Sequence, residues 1–333
     1  MKNSVTILFL LICSILTGQS QTIRVLFLGN SYTYVNDLPK MIADVANSMG
    51  NTLIFDSNTL PGYSLKNHYS NRKSRRKIAA GNWDYIVLQE QSLLPSLQIS
   101  QVQKDVFPYA HTLDSIINIY NPCGETVFFM TWGRKDGDTS ACTSWPPVCT
   151  YSGMDSLLNL RYRIMAERNN ALLAPVGAVW NYIRQNFPLI NLYLEDGGHP
   201  SVEGSYAAAC TFYTIIFRKD PTFISFNSRL KATDASNIKA AVKLIVYDSL
   251  MNWHIGEYDP IASFTYLDSG TSQIIYTNSS KNATTYTWYF GDGGTSSSVN
   301  PTHKYLNTGP YTIKLIAKRC SIQVTIIQTI AVK

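Results

Sequence analysis

The residues best suited to chemistry in this chain are Ser31, Asp196 and His199, and the chemistry they suit is nucleophilic attack by a hydroxyl that a histidine activates. Ser31 ends the run Gly29-Asn30-Ser31, directly after the stretch Ile23 to Leu28, apolar but for Arg24. That stretch is too short to span a membrane and too continuous for a half-exposed strand, which is how a strand buried on both faces reads. Open α/β sheets place ligands and reacting groups at the carboxyl ends of such strands. A serine there is also a common turn former or helix cap, so Ser31 gains weight only from partners elsewhere. His199 is such a partner. It follows Asp196 by three residues in Leu194-Glu195-Asp196-Gly197-Gly198-His199-Pro200-Ser201, ahead of a strongly apolar segment. On so short a loop the carboxylate reaches one imidazole nitrogen and fixes its tautomer, leaving the other nitrogen as a general base. A turn whose Asp and His only cap backbone groups would use the same residues. With a strand-end serine, the three form a candidate nucleophile, base and orienting acid.

Bringing residues 31 and 199 together requires alternating strands and helices. Leu38 to Met49 has helical periodicity and stops at Gly50; Thr52 to Asn58 reads as a second strand that runs into the turn Leu60-Pro61-Gly62-Tyr63-Ser64. Asn67 to Ala80 is a basic helix, and the strand Asp84 to Leu88 delivers Gln89-Glu90-Gln91-Ser92 at its carboxyl end. A helix over 101–120, a strand over Thr126 to Thr131 leading into Trp132-Gly133-Arg134, and a long irregular loop over 133–153 come next. Loops of that length in a compact domain tend to be functional. Asp155 to Asn170 is helical, Leu172 to Val176 a fifth strand, and Val202 to Phe217 and Ser236 to Trp253 are helices. Such alternation predicts a doubly wound, parallel five-stranded sheet with right-handed crossovers and helices on both faces.

The chain has 333 residues, 45% hydrophobic and 15% charged, enough for a substantial core and two domains. Residues 1–20 read as a secretory signal: Lys2, the apolar run Val5 to Leu16, and the small-x-small site Gly18-Gln19-Ser20. Ile12 before Cys13 does not fit a lipobox, and no later stretch is long and apolar enough to span a membrane. Cys123, Cys142, Cys149, Cys210 and Cys320 remain after the signal, an odd number for an oxidising compartment. Cys142 and Cys149 flank a segment with turn chemistry and are the expected disulfide; the alternative is five small buried thiols. No cysteine or histidine spacing matches a metal site: His68, His111, His254 and His303 are scattered, so neither metal nor cofactor is expected. The net charge of +6 owes much to Arg72, Lys73, Arg75, Arg76 and Lys77, read as a solvated helix face before an acidic-polysaccharide contact; nucleic acid is not an expected partner.

Composition changes at Gly256 to Ile261, after which Thr, Ser, Asn, Tyr and period-two alternation predict a small β-sandwich. Trp288-Tyr289-Phe290-Gly291-Asp292-Gly293, then Asn300-Pro301-Thr302-His303-Lys304-Tyr305 and Gly309-Pro310-Tyr311, resemble the polycystic-kidney-disease (PKD) domain, an immunoglobulin-like module, over roughly residues 258–333. The expected division is a signal over 1–20, an α/β domain over 21–255 and the sandwich over 256–333.

The first domain, over roughly residues 22–255, resembles the SGNH (GDSL-type) hydrolases, whose first block is Gly-Asp-Ser and whose last is Asp-x-x-His-Pro. Here they read Gly29-Asn30-Ser31 and Asp196-Gly197-Gly198-His199-Pro200. The resemblance implies a flavodoxin-like fold and a Ser31, His199, Asp196 triad. It also implies an oxyanion hole formed by the backbone N–H groups of Ser31 and Gly62 and a side-chain amide from the third block. That block departs from Gly-x-Asn-Asp, and Gln89-Glu90-Gln91-Ser92 stands in its place. Gln89 is favoured as the donor, with Gln91 as the alternative on the same face of an extended chain. Asn30 replaces an aspartate whose role is mainly structural. Glu90 and Glu195 are alternative orienting carboxylates or are solvated or bound to backbone. Trp132 and Arg134 are expected substrate contacts, an indole for a sugar ring and a guanidinium for a carboxylate, although Trp132 could instead pack over the site.

The resulting expectation is a secreted or periplasmic serine esterase acting on acyl, chiefly acetyl, esters of a carbohydrate, with the sandwich as a spacer or a glycan- or protein-binding attachment. Lipid or small-ester hydrolysis is the nearest competitor. A catalytically silent glycan-binding or adhesion protein is the reading from a different class.

Overall fold

The computed structural model describes residues 20–333, so the expected signal segment, Ser20 apart, and Cys13 lie outside the described residues. Strand β1 (Thr22–Gly29) is buried on both faces over Val25 to Leu28, as its unbroken apolar run requires. It pairs in parallel with β2 (Thr52–Thr59) on one side and β3 (Tyr85–Leu88) on the other; β4 (Glu125–Phe129) and β5 (Leu172–Ala174) complete the order β2-β1-β3-β4-β5. The order reverses between β1 and β3, and a crevice therefore opens at the carboxyl ends of those two strands.

Helices α1 (Ser31–Tyr34) and α2 (Leu38–Ser48) follow β1, and α3 (Leu65–Ser70) and α4 (Arg72–Ala79) follow β2. The predicted helix over 67–80 is thus two helices. Asn71 is extended and its side chain accepts the N–H groups of Lys73 and Ser74, which starts α4 afresh. The basic residues of α4 are mostly exposed, and Lys77 pairs with Asp56. A second break divides α5 (Ile99–Asp105) from α6 (Phe107–Tyr120), where Pro108 occupies the first turn of α6.

The loop over 133–153 contains a short helix, α7 (Thr139–Cys142), and the expected Cys142–Cys149 disulfide. Helix α8 (Tyr151–Arg168) begins four residues earlier than predicted because Thr150 caps it by accepting the N–H of Gly153. Helix α9 (Val176–Asn186) had no clear sequence signal. Helix α10 (Val202–Phe217), capped by Ser201, is buried along nearly its whole length against α2, α9 and α11 (Ala232–Ile245).

A second hydrophobic cluster, separate from that of the α/β layer, is built from Phe264, Ile274, Tyr276, Trp288, Phe290, Tyr305, Ile313 and Leu315. Its strands are β6 (Phe264–Asp268), β7 (Gln273–Asn278), β8 (Thr285–Tyr289), β9 (Thr295–Ser296), β10 (Thr302–Lys304), β11 (Gly309–Arg319) and β12 (Ile322–Val332). They form antiparallel sheets ordered β10-β7-β6 and β12-β11-β8-β9, a β-sandwich. The Phe-Gly-Asp-Gly and Asn-Pro-x-His motifs meet within it: His303 stacks on Phe290 with centroids 4.1 Å apart and bonds Asp292 at 2.7 Å. Gly291 has φ +86°, and a Cβ there would lie 2.8 Å from the backbone of Thr312.

The sandwich is fastened to the amino edge of the parallel sheet. Cys123, just before β4, is disulfide-bonded to Cys320, just after β11. Arg319 lies 3.6 Å from Glu125 and donates to the Tyr258 carbonyl, and Arg218 pairs with Asp259. Cys210 is buried in α10 and unpaired.

Candidate active site

Ser31 is the first residue of α1, held where β1 turns into the helix by its neighbour Asn30. The Asn30 side chain accepts the N–H of Tyr32 as the helix cap and donates to the Tyr63 carbonyl at 2.8 Å, tying the first block to the turn that carries Gly62. An aspartate could not make that donation; the amide at this position is used. Behind it, His68 is buried on α3. Its Nε2–H donates to the Gly29 carbonyl at 3.0 Å and its Nδ1 accepts from the Ser74 hydroxyl at 2.8 Å, so burial pushes its pKa down to about 4 and it stands neutral.

The last block is a closed loop between Leu192 and Ser201. Leu194 N–H donates to the His199 carbonyl, Ser201 N–H to the Leu192 carbonyl, and Gly197 takes φ +66° at the tip. Asp196 Oδ1 accepts the N–H groups of Gly198 and His199 at 3.0 and 2.9 Å, while Oδ2 bonds His199 Nδ1. Burial raises the Asp196 pKa, but these bonds outweigh it and hold the carboxyl down to about 2. His199 Nε2 then lies 2.8 Å from Ser31 Oγ. The two blocks, 168 residues apart, are tied by Asn36, whose amide donates to the Pro200 carbonyl, the Ser201 carbonyl and the Ser205 hydroxyl at 2.9 to 3.0 Å.

Ser31 and His199 face a cleft of about 480 Å³ lined by Asn30, Tyr32, Tyr34, Pro61, Gly62, Gln91, Ser92, Arg134, Asp196 and Gly198. Gly62 has φ +66°, and its N–H makes no hydrogen bond among the described residues. Two side-chain amides line the cleft; that of Asn30 is engaged with the Tyr63 carbonyl, and the other is Gln91. Its Oε1 accepts the N–H groups of Leu93 and Leu94 at 2.8 and 3.0 Å, which fixes the carbonyl end and leaves Nε2 without a partner among the described residues.

Gln89, the favoured donor from sequence, does not line this cleft. It is fully buried; its Oε1 accepts the Asn30 N–H and the Thr33 hydroxyl, both at 2.9 Å, and its Nε2 donates to the Glu90 carbonyl. The Gln89 N–H still bonds the Leu28 carbonyl, so the residue prolongs the strand and its side chain turns beneath the first block. Trp132 is also not a contact surface. It is 0% exposed, stacked between Tyr32 at 4.7 Å and Trp180 at 3.7 Å, and its Nε1 donates to the Gly198 carbonyl at 3.0 Å. Its place is under the site, steadying the loop between Asp196 and His199.

Arg134 does reach the cleft, ion-paired at 2.8 Å to the wholly buried Asp138 and with 38% of its side chain exposed. Glu195 is exposed, whereas Glu90 is fully buried and bonds backbone. Tyr32, Tyr34, Pro61 and Ser92 also line the cleft, and no sequence motif marks them as site residues. Burial pushes the Tyr32 hydroxyl up to about 12, against the opposing influence of Ser92 and Arg134 nearby, so it remains protonated beside His199. Adjacency to Ser31 was the one signal that could have found it. Among the described residues no group of acidic, histidine or cysteine side chains has the geometry of a metal site.

Residues 265–332 match the family model of the PKD domain. No curated protein matches the sequence. Among solved structures, a DUF4886 family protein from Bacteroides uniformis is 17% identical over 69% of this chain and 95% of its own, with a TM-score of 0.59, a likeness of fold. A protein of Slackia heliotrinireducens assigned to the SGNH hydrolases is 24% identical over 58% of this chain and 97% of its own, with a TM-score of 0.47. The lipase/acylhydrolase of Enterococcus faecalis is 13% identical over 58% and 95%, with a TM-score of 0.43.

Proposed function

We propose that this chain is a serine esterase of the SGNH type, with Ser31 as nucleophile, His199 as general base and acid, and Asp196 as the orienting carboxylate. The observation that carries the reading is the unbroken relay from Asp196 through His199 to Ser31 Oγ at the mouth of a cleft. Ser31 Oγ adds to the ester carbonyl while His199 Nε2 takes its proton. The oxyanion is held by the N–H groups of Ser31 and Gly62 and by Gln91 Nε2, which takes the role first given to Gln89. Collapse expels the alcohol, which receives the proton from His199, and leaves acyl-Ser31. Water, deprotonated by His199, releases the acid by the same steps in turn.

The finer reading is a short acyl group, acetyl first, on a carbohydrate. The cleft supports it: Asn30, Gln91, Ser92, Arg134 and Asp196 line it around Ser31 and His199, hydrogen-bonding groups that suit a polar alcohol, with Tyr34 and Pro61 as the apolar part of the lining. Arg134 would meet a polar or anionic part of the alcohol. The signal-like segment 1–20 and the PKD-type module suit a secreted enzyme working on an extended glycan, with the hydrolase unit over 21–255. No helix among the described residues is long and apolar enough to cross a membrane.

Hydrolysis of chromogenic acetate and octanoate esters by the wild type and by Ser31→Ala tests this. The wild type should turn over acetate faster than octanoate, and Ser31→Ala should lose at least about 10³-fold in kcat. Equal rates for the two proteins would leave the chain as a glycan-binding or adhesion protein.

A further inference from the structure

We propose that Glu90 is a positioning residue for the oxyanion hole, one carboxyl oxygen holding together the strand end that presents Gln91 and the helix start that follows Gly62. The proposal rests on the esterase reading above. Glu90 Oε1 accepts the Gln91 N–H at 2.5 Å and the Leu65 N–H at 3.2 Å. Gln91 is a cleft-lining amide; Leu65 opens α3 three residues after Gly62, and Ser64 between them caps that helix in a closed capping box. Two loops from different βα units, each offering an oxyanion donor, therefore share one acceptor. The residue is itself fixed. Its N–H meets the Tyr162 hydroxyl at 3.3 Å, its carbonyl accepts from Gln89, and the side chain is completely buried.

The other oxygen, Oε2, is buried with no hydrogen-bond partner among the described residues. The ionisable groups facing Glu90 are Tyr162 from α8 and Asp105 from the end of α5, the latter paired with Lys66, and none of these places a cation against the carboxyl. Burial raises the pKa to about 8; the Gln91 and Leu65 N–H groups offset only part of that, and Asp105 adds to it. At neutral pH the shared acceptor is thus a neutral acid. Because the folded state binds this proton more tightly than the unfolded chain, the stability it favours is full below the ordinary glutamate range. That stability is lost as pH rises to about 8. Ionisation puts an uncompensated charge behind the oxyanion donors.

The experiment measures kcat and KM on a chromogenic acetate ester from pH 6 to 9.5 for the wild type, Glu90→Gln, Glu90→Ala and Ser31→Ala, with thermal melts of each. A glutamine keeps the oxygen acceptor and cannot ionise. Glu90→Ala should lose about 10- to 100-fold in kcat with KM within about threefold. Glu90→Gln should recover kcat to within about threefold at pH 7 and lack the wild type's alkaline decline near pH 8. Wild-type kcat in Glu90→Ala, a loss confined to KM, or the same alkaline decline in Glu90→Gln would overturn the role. If Glu90→Ala does not fold, the pH profile of Glu90→Gln against the wild type decides alone. An active Ser31→Ala would instead overturn the esterase reading, whereas an inactive Ser31→Ala with wild-type-like Glu90 variants removes only the positioning role.

Discussion

At the carboxyl edge of the parallel sheet the loops are tied by neutral hydrogen bonds, from Asn30 to Tyr63, Asn36 to Pro200 and Ser201, and Trp132 to Gly198. At the amino edge the ties are a disulfide and the ion pairs Arg218–Asp259 and Arg319–Glu125. The two edges have different tasks. Amide and indole donors are directional and carry no net charge, so they fix the angle of a loop without adding a field to the site. The junction needs only to keep two separately cored units in contact, and a covalent link does that at any ionic strength, with the half-buried ion pairs as a salt-sensitive supplement.

The largest effect expected of breaking this contrast lies at the amino edge. Replacing Cys123 and Cys320 by serine opens a loop of 197 residues, worth up to about 5 kcal/mol by chain entropy, against about 2 kcal/mol for the seven-residue Cys142–Cys149 loop. Thermal melts of the two double mutants should rank in that order, with kcat on a small ester unchanged in the Cys123 and Cys320 variant. A fall in kcat there would show that the two edges are coupled. At the carboxyl edge, Gln91→Ala should lower kcat by about 10²- to 10³-fold without a lower melting temperature. Gln89→Ala should do the reverse, costing about 1–3 kcal/mol of stability by stranding the Asn30 N–H. Kinetics and melts on the same preparations check both, and a catalytic loss larger for Gln89→Ala than for Gln91→Ala would return the oxyanion role to Gln89. Last is the pH response of His68, which is spread over more than two pH units. With its pKa lowered from 6.5 to about 4, its contribution is full above pH 6.5 and is lost as pH falls toward 4, a change of about 3 kcal/mol. Denaturant melts between pH 7 and 4 should show this decline, and His68→Gln should flatten it.

Much of the carboxyl edge was legible in the sequence because its signals are local. An apolar run ending in a small polar residue marks β1 and Ser31, and the three-residue spacing of Asp196 and His199 is closed by bonds within the loop itself. The alternation of strands and helices marks the five-stranded sheet, and the change of composition with period-two residue alternation after Ile261 marks the sandwich. What sequence could not give were the contacts made across the fold. The choice between Gln89 and Gln91 turns on Asn30 and Thr33, which capture one amide from a neighbouring strand. Trp132 read as a sugar platform because nothing nearby in sequence announces that Tyr32 and Trp180 enclose it. Asn71, which splits the predicted helix over 67–80, does so through its own extended backbone and side-chain cap, which helical periodicity on either side conceals. Cys320 has its partner 197 residues away, a pairing that spacing alone does not specify.

The Cys123–Cys320 bond makes the polypeptide between them a closed ring, and the connection over Gly256 to Ile261 lies within that ring. A protease cutting this connection would yield two fragments on a reducing gel but one particle in solution. The sandwich would stay attached to the α/β unit under oxidising conditions and part from it only where both a nick and a reductant are present.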